Sequence, residues 1–280
     1  MTAKKTRYKS MIRSILGIVF VLVFLFPIYW MISISLRSTE EMRGEVPFFP
    51  QSFTVSHYIE LFQEQGFGQA LINSTITTLV SLAISLVFGI TCAYILARVR
   101  FRLKGRKILV YWVLLVRVMP LVSFAIPFYI MFTELGILAT LIPVIAACVF
   151  INIPLTIWFI ISFFRDLPTE LEESAKLDGA TEWKLFVRIV LPLVLPGIAA
   201  VAMLSFVYAW NEYTYSVMFV QTPQHYTVPL KLATINMDDN VMQYGSVAAG
   251  GVISIAPMAI FVIFAQKYLI SGLSSGAVKE

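Results

Sequence analysis

The sequence predicts an all-α transmembrane protein with about six helices. Three observations lead there. The 280 residues are 59% hydrophobic and only 13% charged, where a soluble domain has about 25% charged residues. Mean hydropathy is +0.83. Mainly apolar runs of the ~18 or more residues that cross a ~30 Å hydrocarbon core as a helix recur along the chain.

The runs fall at roughly 14–35, 72–97, 108–132, 137–164, 191–217 and 245–270. The first follows a basic start, MTAKKTRYKSMIRS. It exceeds the about 7–15 apolar residues of a signal peptide, so an uncleaved span is expected. Pro120 and Pro127 in the third run, Pro143 and Pro154 with Asn152 in the fourth, and Pro257 in the sixth mark places where a span can bend. The small-residue run Ala248, Ala249, Gly250, Gly251 suits close helix packing. Cys92 and Cys148 lie inside apolar runs and read as small hydrophobes rather than a disulfide or metal pair.

Lys and Arg set the orientation. One side collects Lys4, Lys5, Arg7, Lys9, Arg13, then Arg98, Arg100, Arg102, Lys104, Arg106, Lys107, then Arg165, Lys176, Lys184, Arg188, Lys267 and Lys279; the other has Arg37, Arg43 and Lys231. The positive-inside rule puts both termini in the cytoplasm, as an even number of spans requires. The net charge of +5 thus reads as topology, and no nucleic-acid motif is present. Two external loops, 36–71 and 219–244, are long enough to fold and touch something outside.

The segment between the fourth and fifth spans is the exception to the apolar composition. ELEESAKLDGATEWKLFVRIVLP carries Glu170, Glu172, Glu173, Asp178 and Glu182. It reads as helix–turn–helix. Pro168 suits a first turn, and the early glutamates suit a helix N-terminal half. Gly179 is placed to end that helix left-handed. Thr181 can cap a second helix, with Trp183, Phe186 and Ile189 recurring along one face.

Catalytic constellations are missing. His57 and His225 sit in the external loops outside any H-E-x-x-H pattern, and no Walker A sequence occurs. An ATP-driven process would need another chain to bind the nucleotide. Two polar groups fall within spans, Arg117 in the third and Glu212 in the fifth, the latter among Trp210, Asn211, Tyr213 and Tyr215. Ionisable groups in lipid face a partner or an aqueous cavity. A structural Arg117–Glu212 pair and a sugar-binding translocation path, with aromatics stacking on sugar faces, both stand at this point.

The acidic segment resembles the cytoplasmic "EAA" loop of ABC-importer permeases. The matching residues are Glu173-Ser174-Ala175, Asp178-Gly179-Ala180 and Ile189-Val190-Leu191-Pro192; Ser174 replaces that family's first Ala. RVMPLVSFAIPFYIMF (117–132), YAWNEYTYSVMF (208–219) and the stretch 244–279 are similar to the carbohydrate branch, in particular the smaller permease of maltose-type transporters. The resemblance implies a type I ABC-importer permease fold and a transport subunit rather than an enzyme. It implies a heteromeric complex with a second permease subunit, two ATPase subunits holding ATP and Mg, and an extracytoplasmic solute-binding protein delivering a sugar. No cofactor is expected on this chain. The setting would be a bacterial or archaeal cytoplasmic membrane. The division that follows is 1–71 for tail, first span and external loop, 72–270 for a five-helix permease core containing the coupling loop 165–191, and 271–280 for the tail. By resemblance Glu173 and Gly179, within the set Glu173, Ser174, Ala175, Asp178, Gly179 and Ala180, would couple to the ATPase, and loop 219–244 would reach toward the binding protein. The alternative class is an ion-gradient-driven secondary transporter, which would show inverted repeats and several embedded acids; no clear repeat is present, and Glu212 is the one convincing embedded acid.

Overall fold

The computed structural model describes residues 2–43, 46–98, 104–235 and 243–276, with side chains placed between 11 and 267 within those stretches. The regular elements among them are all helical. Four helices are long and apolar enough to cross a membrane, and six spans result if each of two bent pairs counts as one. Two compact units form, Met1–Phe67 with Leu232–Ile255, and Gly68–Lys231 with Ala256–Glu280.

In the first unit, α1 (Thr2–Ser35) exposes its large apolar side chains from Met11 to Phe26. A helix apolar all round belongs in lipid or a core. At its end Arg37 is fully buried. Its Nη2 donates to Ser33 Oγ at 3.0 Å and to the carbonyls of Pro47 at 2.5 Å and Phe48 at 3.2 Å, and its Nη1 reaches Glu41 Oε1 at 3.2 Å. Glu41 in turn accepts from the N–H of Gln51 and of Ser52 and from Ser52 Oγ. A buried cation is tolerable only when paired and hydrogen-bonded, and this knot meets that condition by bringing residues 47–52 back against residues 37–41. The helix α2 (Ser56–Gln63) joins it through His57 Nε2, 2.9 Å from the Arg37 carbonyl. The glycines that begin α13 (Tyr244–Gly276) are close-approach positions. A Cβ on Gly245 would fall 2.2 Å from the His57 ring, on Gly250 2.4 Å from Leu232, and on Gly251 2.8 Å from Met31. The small-residue run thus packs as its composition suggests.

In the second unit α3 (Phe67–Ala97) lies against α6 (Ile142–Asp166); a Cβ on Gly89 would sit 2.6 Å from Thr156 Cβ. Ile160 and Phe164 of α6 share a buried core with Tyr94 of α3 and with Val201 of α10 (Leu195–Trp210). The third expected span is not straight. α4 (Arg106–Val118) and the stretch leading into α5 (Ala125–Glu134) meet at 105°. Met119 is extended, with ψ 140°, as the ring of the following Pro120 demands. The fifth span also breaks. Its two parts, Glu182–Leu193 and Leu195–Phe219, meet at 76° around Val194, between Pro192 and Pro196, neither of which can donate a helical N–H. Pro154 and Pro257 stay inside helices. Cys148 is buried as expected, whereas Cys92 is exposed on α3.

The hydroxyl of Ser52, with the backbone N–H groups beside it, holds the Glu41 carboxyl below its usual range. The order this adds to loop 37–52 is present above the carboxyl's unfolded value and is lost as pH falls through its lowered folded one. Limited proteolysis of the loop should therefore speed up on acidification, and Glu41→Gln should show the fast rate already at neutral pH.

Candidate functional site

The acidic segment folds as its residues suggest. α7 (Thr169–Leu177) follows Pro168. Gly179 takes φ +80°; Gly179 N–H donates to the Lys176 carbonyl and Ala180 N–H to the Ala175 carbonyl, each at 3.0 Å. This is the Schellman arrangement, which uses the last carbonyls of the helix. Thr181 Oγ1 accepts from Lys184 N–H at 3.3 Å and caps α8 (Glu182–Leu185). Lys176 and Glu182 pair across the turn. After α8 the chain widens into a π turn, Phe186–Val190, before the short α9 (Leu191–Leu193).

The hairpin has one face inward and one outward. Ala175 and Leu185 are buried in the core with Val190, while Glu173, Ser174, Asp178 and Gly179 are exposed. Nothing lies within 4 Å of a Cβ built on Gly179. Trp183, 75% exposed, lines with Phe186 and Val187 a cavity of about 250 Å³ whose other wall is Leu86, Val87, Ile90 and Thr91 of α3. Phe186 turns inward onto Tyr94, with ring centroids 4.8 Å apart.

A residue not singled out in the sequence anchors the hairpin. Glu172, only 4% exposed, accepts from Arg98 Nε at 2.6 Å; Arg98 is 5% exposed. Arg98 Nη1 also donates to the Leu167 carbonyl at 3.2 Å, and Tyr94 Oη donates to Glu172 Oε2 at 3.3 Å. Beside this joint a cavity of about 490 Å³ is lined by Arg98, Arg165, Thr169, Glu172, Glu173 and Lys176. The sequence shows many bases near Arg98 and many acids near Glu172, with no spacing rule to match them.

The polar set in the fifth span divides. Trp210 is buried and stacks on Phe206, whose ring stacks on Phe261. Glu212 is buried, but it does not meet Arg117. Its carboxylate accepts from Tyr215 N–H at 2.6 Å, Ser216 N–H at 3.0 Å and Ser216 Oγ at 2.9 Å, fixing the first turn of α11 (Thr214–Phe219). The expected Arg117–Glu212 pair is thus replaced by a local one: the N-terminal N–H groups of a new helix lie closer to Glu212 than any distant cation. Tyr215 is buried and donates to the Leu121 carbonyl at 2.8 Å, just past the Pro120 bend. Arg117, Asn211 and Tyr213 are exposed.

The segment after α11 is clasped to the start of α3. Asn73 Nδ2 donates to the carbonyls of Gln224 at 2.8 Å and Tyr226 at 2.9 Å, and Ser74 Oγ accepts from Val228 N–H at 2.8 Å, opening α12 (Val228–Ile235). The rest of the expected loop 219–244, from 236 to 242, lies outside the described residues, as do 277–280 of the expected tail, Arg100 and Arg102.

Residues 85–275 match the family described as binding-protein-dependent transport system inner membrane component. The chain belongs to that family. The permease is 32% identical over 256 residues to the trehalose transport system permease protein SugB of Mycobacterium tuberculosis, covering 91% of this chain and 92% of that one. It is 30% identical over 277 residues to the trehalose/maltose transport system permease protein MalG of Thermococcus litoralis, covering 97% of each. It is 30% identical over 282 residues to the melibiose/raffinose/stachyose import permease protein MelC of Bacillus subtilis, covering 99% of each. Its fold is that of a chain in the crystal structure of a bacterial ABC transporter involved in import of the acidic polysaccharide alginate, with TM-score 0.76, 22% identity, and coverage of 96% of this chain and 99% of that one. It is therefore a membrane-spanning transport subunit of an ABC importer, not an enzyme, and the ion-gradient alternative falls away.

Removing one partner of the buried pair leaves an uncompensated charge, a loss of about 3–5 kcal/mol. Arg98→Ala or Glu172→Ala should each lower the thermal midpoint of the purified permease strongly. The double substitution Arg98→Met with Glu172→Met, which leaves no charge behind, should lower it far less.

Proposed function

We propose that the permease passes a sugar or oligosaccharide across a bacterial or archaeal cytoplasmic membrane by alternating access, the cargo being delivered by an extracytoplasmic solute-binding protein. It works beside a second permease subunit, and ATP and Mg are held by two ATPase subunits. The hairpin within 165–191 faces the cytoplasm, as do both termini, and couples to an ATPase. The observation that carries this reading is the outward face of the hairpin. Glu173 has no hydrogen-bond or ion-pair partner among the described residues, and Gly179 faces open space at a left-handed backbone position. A carboxylate and a bare backbone turn presented together suit insertion into a cleft of a partner, because glycine lets the main chain approach closely. The basic residues on the same side of the chain support the orientation. The sugar cargo is supported by the relatives, whose names specify trehalose, trehalose/maltose, and melibiose/raffinose/stachyose.

The hairpin is continuous with α6 on one side and the bent fifth span on the other, so movement imposed by the partner passes into α6 as a rigid body and into the fifth span as far as its bend at Val194. Within the spans, the open faces of Arg117, Asn211 and Tyr213 line the sugar path. Trp210, Glu212 and Tyr215 hold the backbone that presents them: Glu212 closes the first turn of α11, and Tyr215 ties it to the Pro120 bend. Loop 219–244 faces the binding protein.

The test separates backbone strain from partner contact at Gly179. Asn tolerates the left-handed region whereas Leu does not; both add bulk on the partner side. Co-purification of the ATPase and binding-protein-dependent sugar uptake should fall by at least about tenfold for Gly179→Leu and Gly179→Asn alike, since about 1.4 kcal/mol of lost interface suffices. Normal assembly and uptake in both variants would contradict the coupling role.

A further inference from the structure

The chain neighbours of the hairpin are α6 and the fifth span, and continuity alone would move only those. α3 is far away in sequence, yet it is fastened to the hairpin more firmly than packing requires. Tyr94 sits in the last turn of α3 and Arg98 immediately follows its end, one turn on, with Arg98 N–H donating to the Tyr94 carbonyl at 3.1 Å. From there Arg98 grips Glu172 and the Leu167 carbonyl, and Tyr94 reaches the other Glu172 oxygen. The Tyr94 ring also packs on Phe164 at 5.3 Å and Phe186 at 4.8 Å, so one residue touches both arms that flank α7. At the opposite end of α3, Asn73 and Ser74 clasp the segment 224–228 by three hydrogen bonds. The 24 residue-to-residue steps from Ser74 to Arg98 span ~36 Å at 1.5 Å per step, about a membrane thickness. No proline interrupts α3, whereas the third and fifth spans break at 105° and 76°.

We propose that α3 is a transmembrane rod linking the ATPase-facing hairpin to the external loop that faces the binding protein. Arg98 and Glu172 are positioning residues at one end, and Asn73 and Ser74 are positioning residues at the other. Bent spans absorb movement at their breaks, while an unbroken helix fixed by hydrogen bonds at both ends carries it through. A charge pair at the joint suits this role, because replacing such a pair with apolar residues often leaves a protein equally stable; what the pair adds is a defined direction and register. The proposal rests on the coupling reading of the hairpin and adds a path that the reading does not contain.

The test uses the complete transporter in proteoliposomes and reads the factor by which sugar-loaded binding protein stimulates ATP hydrolysis. Coupling between distant sites commonly amounts to 5–150-fold, so Asn73→Ala with Ser74→Ala at one end should reduce stimulation at least about fivefold in a transporter that still assembles. Arg98→Lys, which keeps a cation at the joint, should retain more stimulation than Glu172→Gln. The loss on combining both ends should match the larger single loss, because a rod cut once is already cut, whereas independent effects would add. Additive losses, or undiminished stimulation after Asn73→Ala with Ser74→Ala, overturn the rod. Where Glu172→Gln fails to assemble, the Asn73 and Ser74 result decides alone. A wild-type transporter that its binding protein does not stimulate contradicts the importer reading itself and removes the basis of the rod.

Discussion

The structure of the second unit depends on one buried ion pair. Arg98 and Glu172 stand at the end of an apolar helix, both nearly inaccessible, 2.6 Å apart. Burying either alone would cost several kcal/mol, and together they remain tolerable only with good geometry and further hydrogen bonds. Leu167 and Tyr94 supply those bonds. The consequence is positional: α7 has one place to sit relative to α3, and its polar outer face with Glu173, and the turn at Gly179 that follows it, are therefore held at one orientation. Arg37 in the first unit follows the same rule. It is fully buried, so the loop after α1 must close around it to satisfy its donors.

Charge placement also explains what was legible in the sequence. The spans follow from apolar length. The hairpin follows from local chemistry: Gly179 falls in the left-handed region and Thr181 caps the next helix, because both signals act over three or four residues. The Arg98–Glu172 joint could not be read, since its partners are separated by 74 residues and each has several like-charged neighbours. The same limitation produced the expected Arg117–Glu212 pair. Two opposite charges in different spans suggest each other, but Glu212 is satisfied by the N–H groups of Tyr215 and Ser216. A carboxylate beside a helix start has a partner already present in its own chain segment. Prolines marked where spans could bend but not which would do so. Pro154 and Pro257 remain inside helices, whereas Met119–Pro120 turns the chain through 105°.

The division between bent and straight elements matters for transport. Alternating access requires some spans to change angle while others keep their shape. The third span carries its bend beside Arg117, proposed to line the sugar path, whereas the fifth bends at Val194, next to the hairpin; Tyr215 ties the two spans together at the Pro120 bend. α3 has no such break and is fixed at both ends. The permease thus combines two deformable spans with unbroken ones, and the acidic hairpin touches both kinds, by chain continuity to the fifth span and to α6, and by the buried ion pair to α3.

The central claim, that the hairpin and α3 move as one body, can be measured directly. Spin labels on Cys92, which is exposed on α3, and on Leu177→Cys, at the exposed end of α7, report their separation by pulsed electron resonance once Cys148 is replaced. The account predicts the same distance distribution in the assembled transporter without nucleotide and with ATP trapped. A shift of several ångström between those states would show that the ion-paired joint opens during the cycle, and would contradict it.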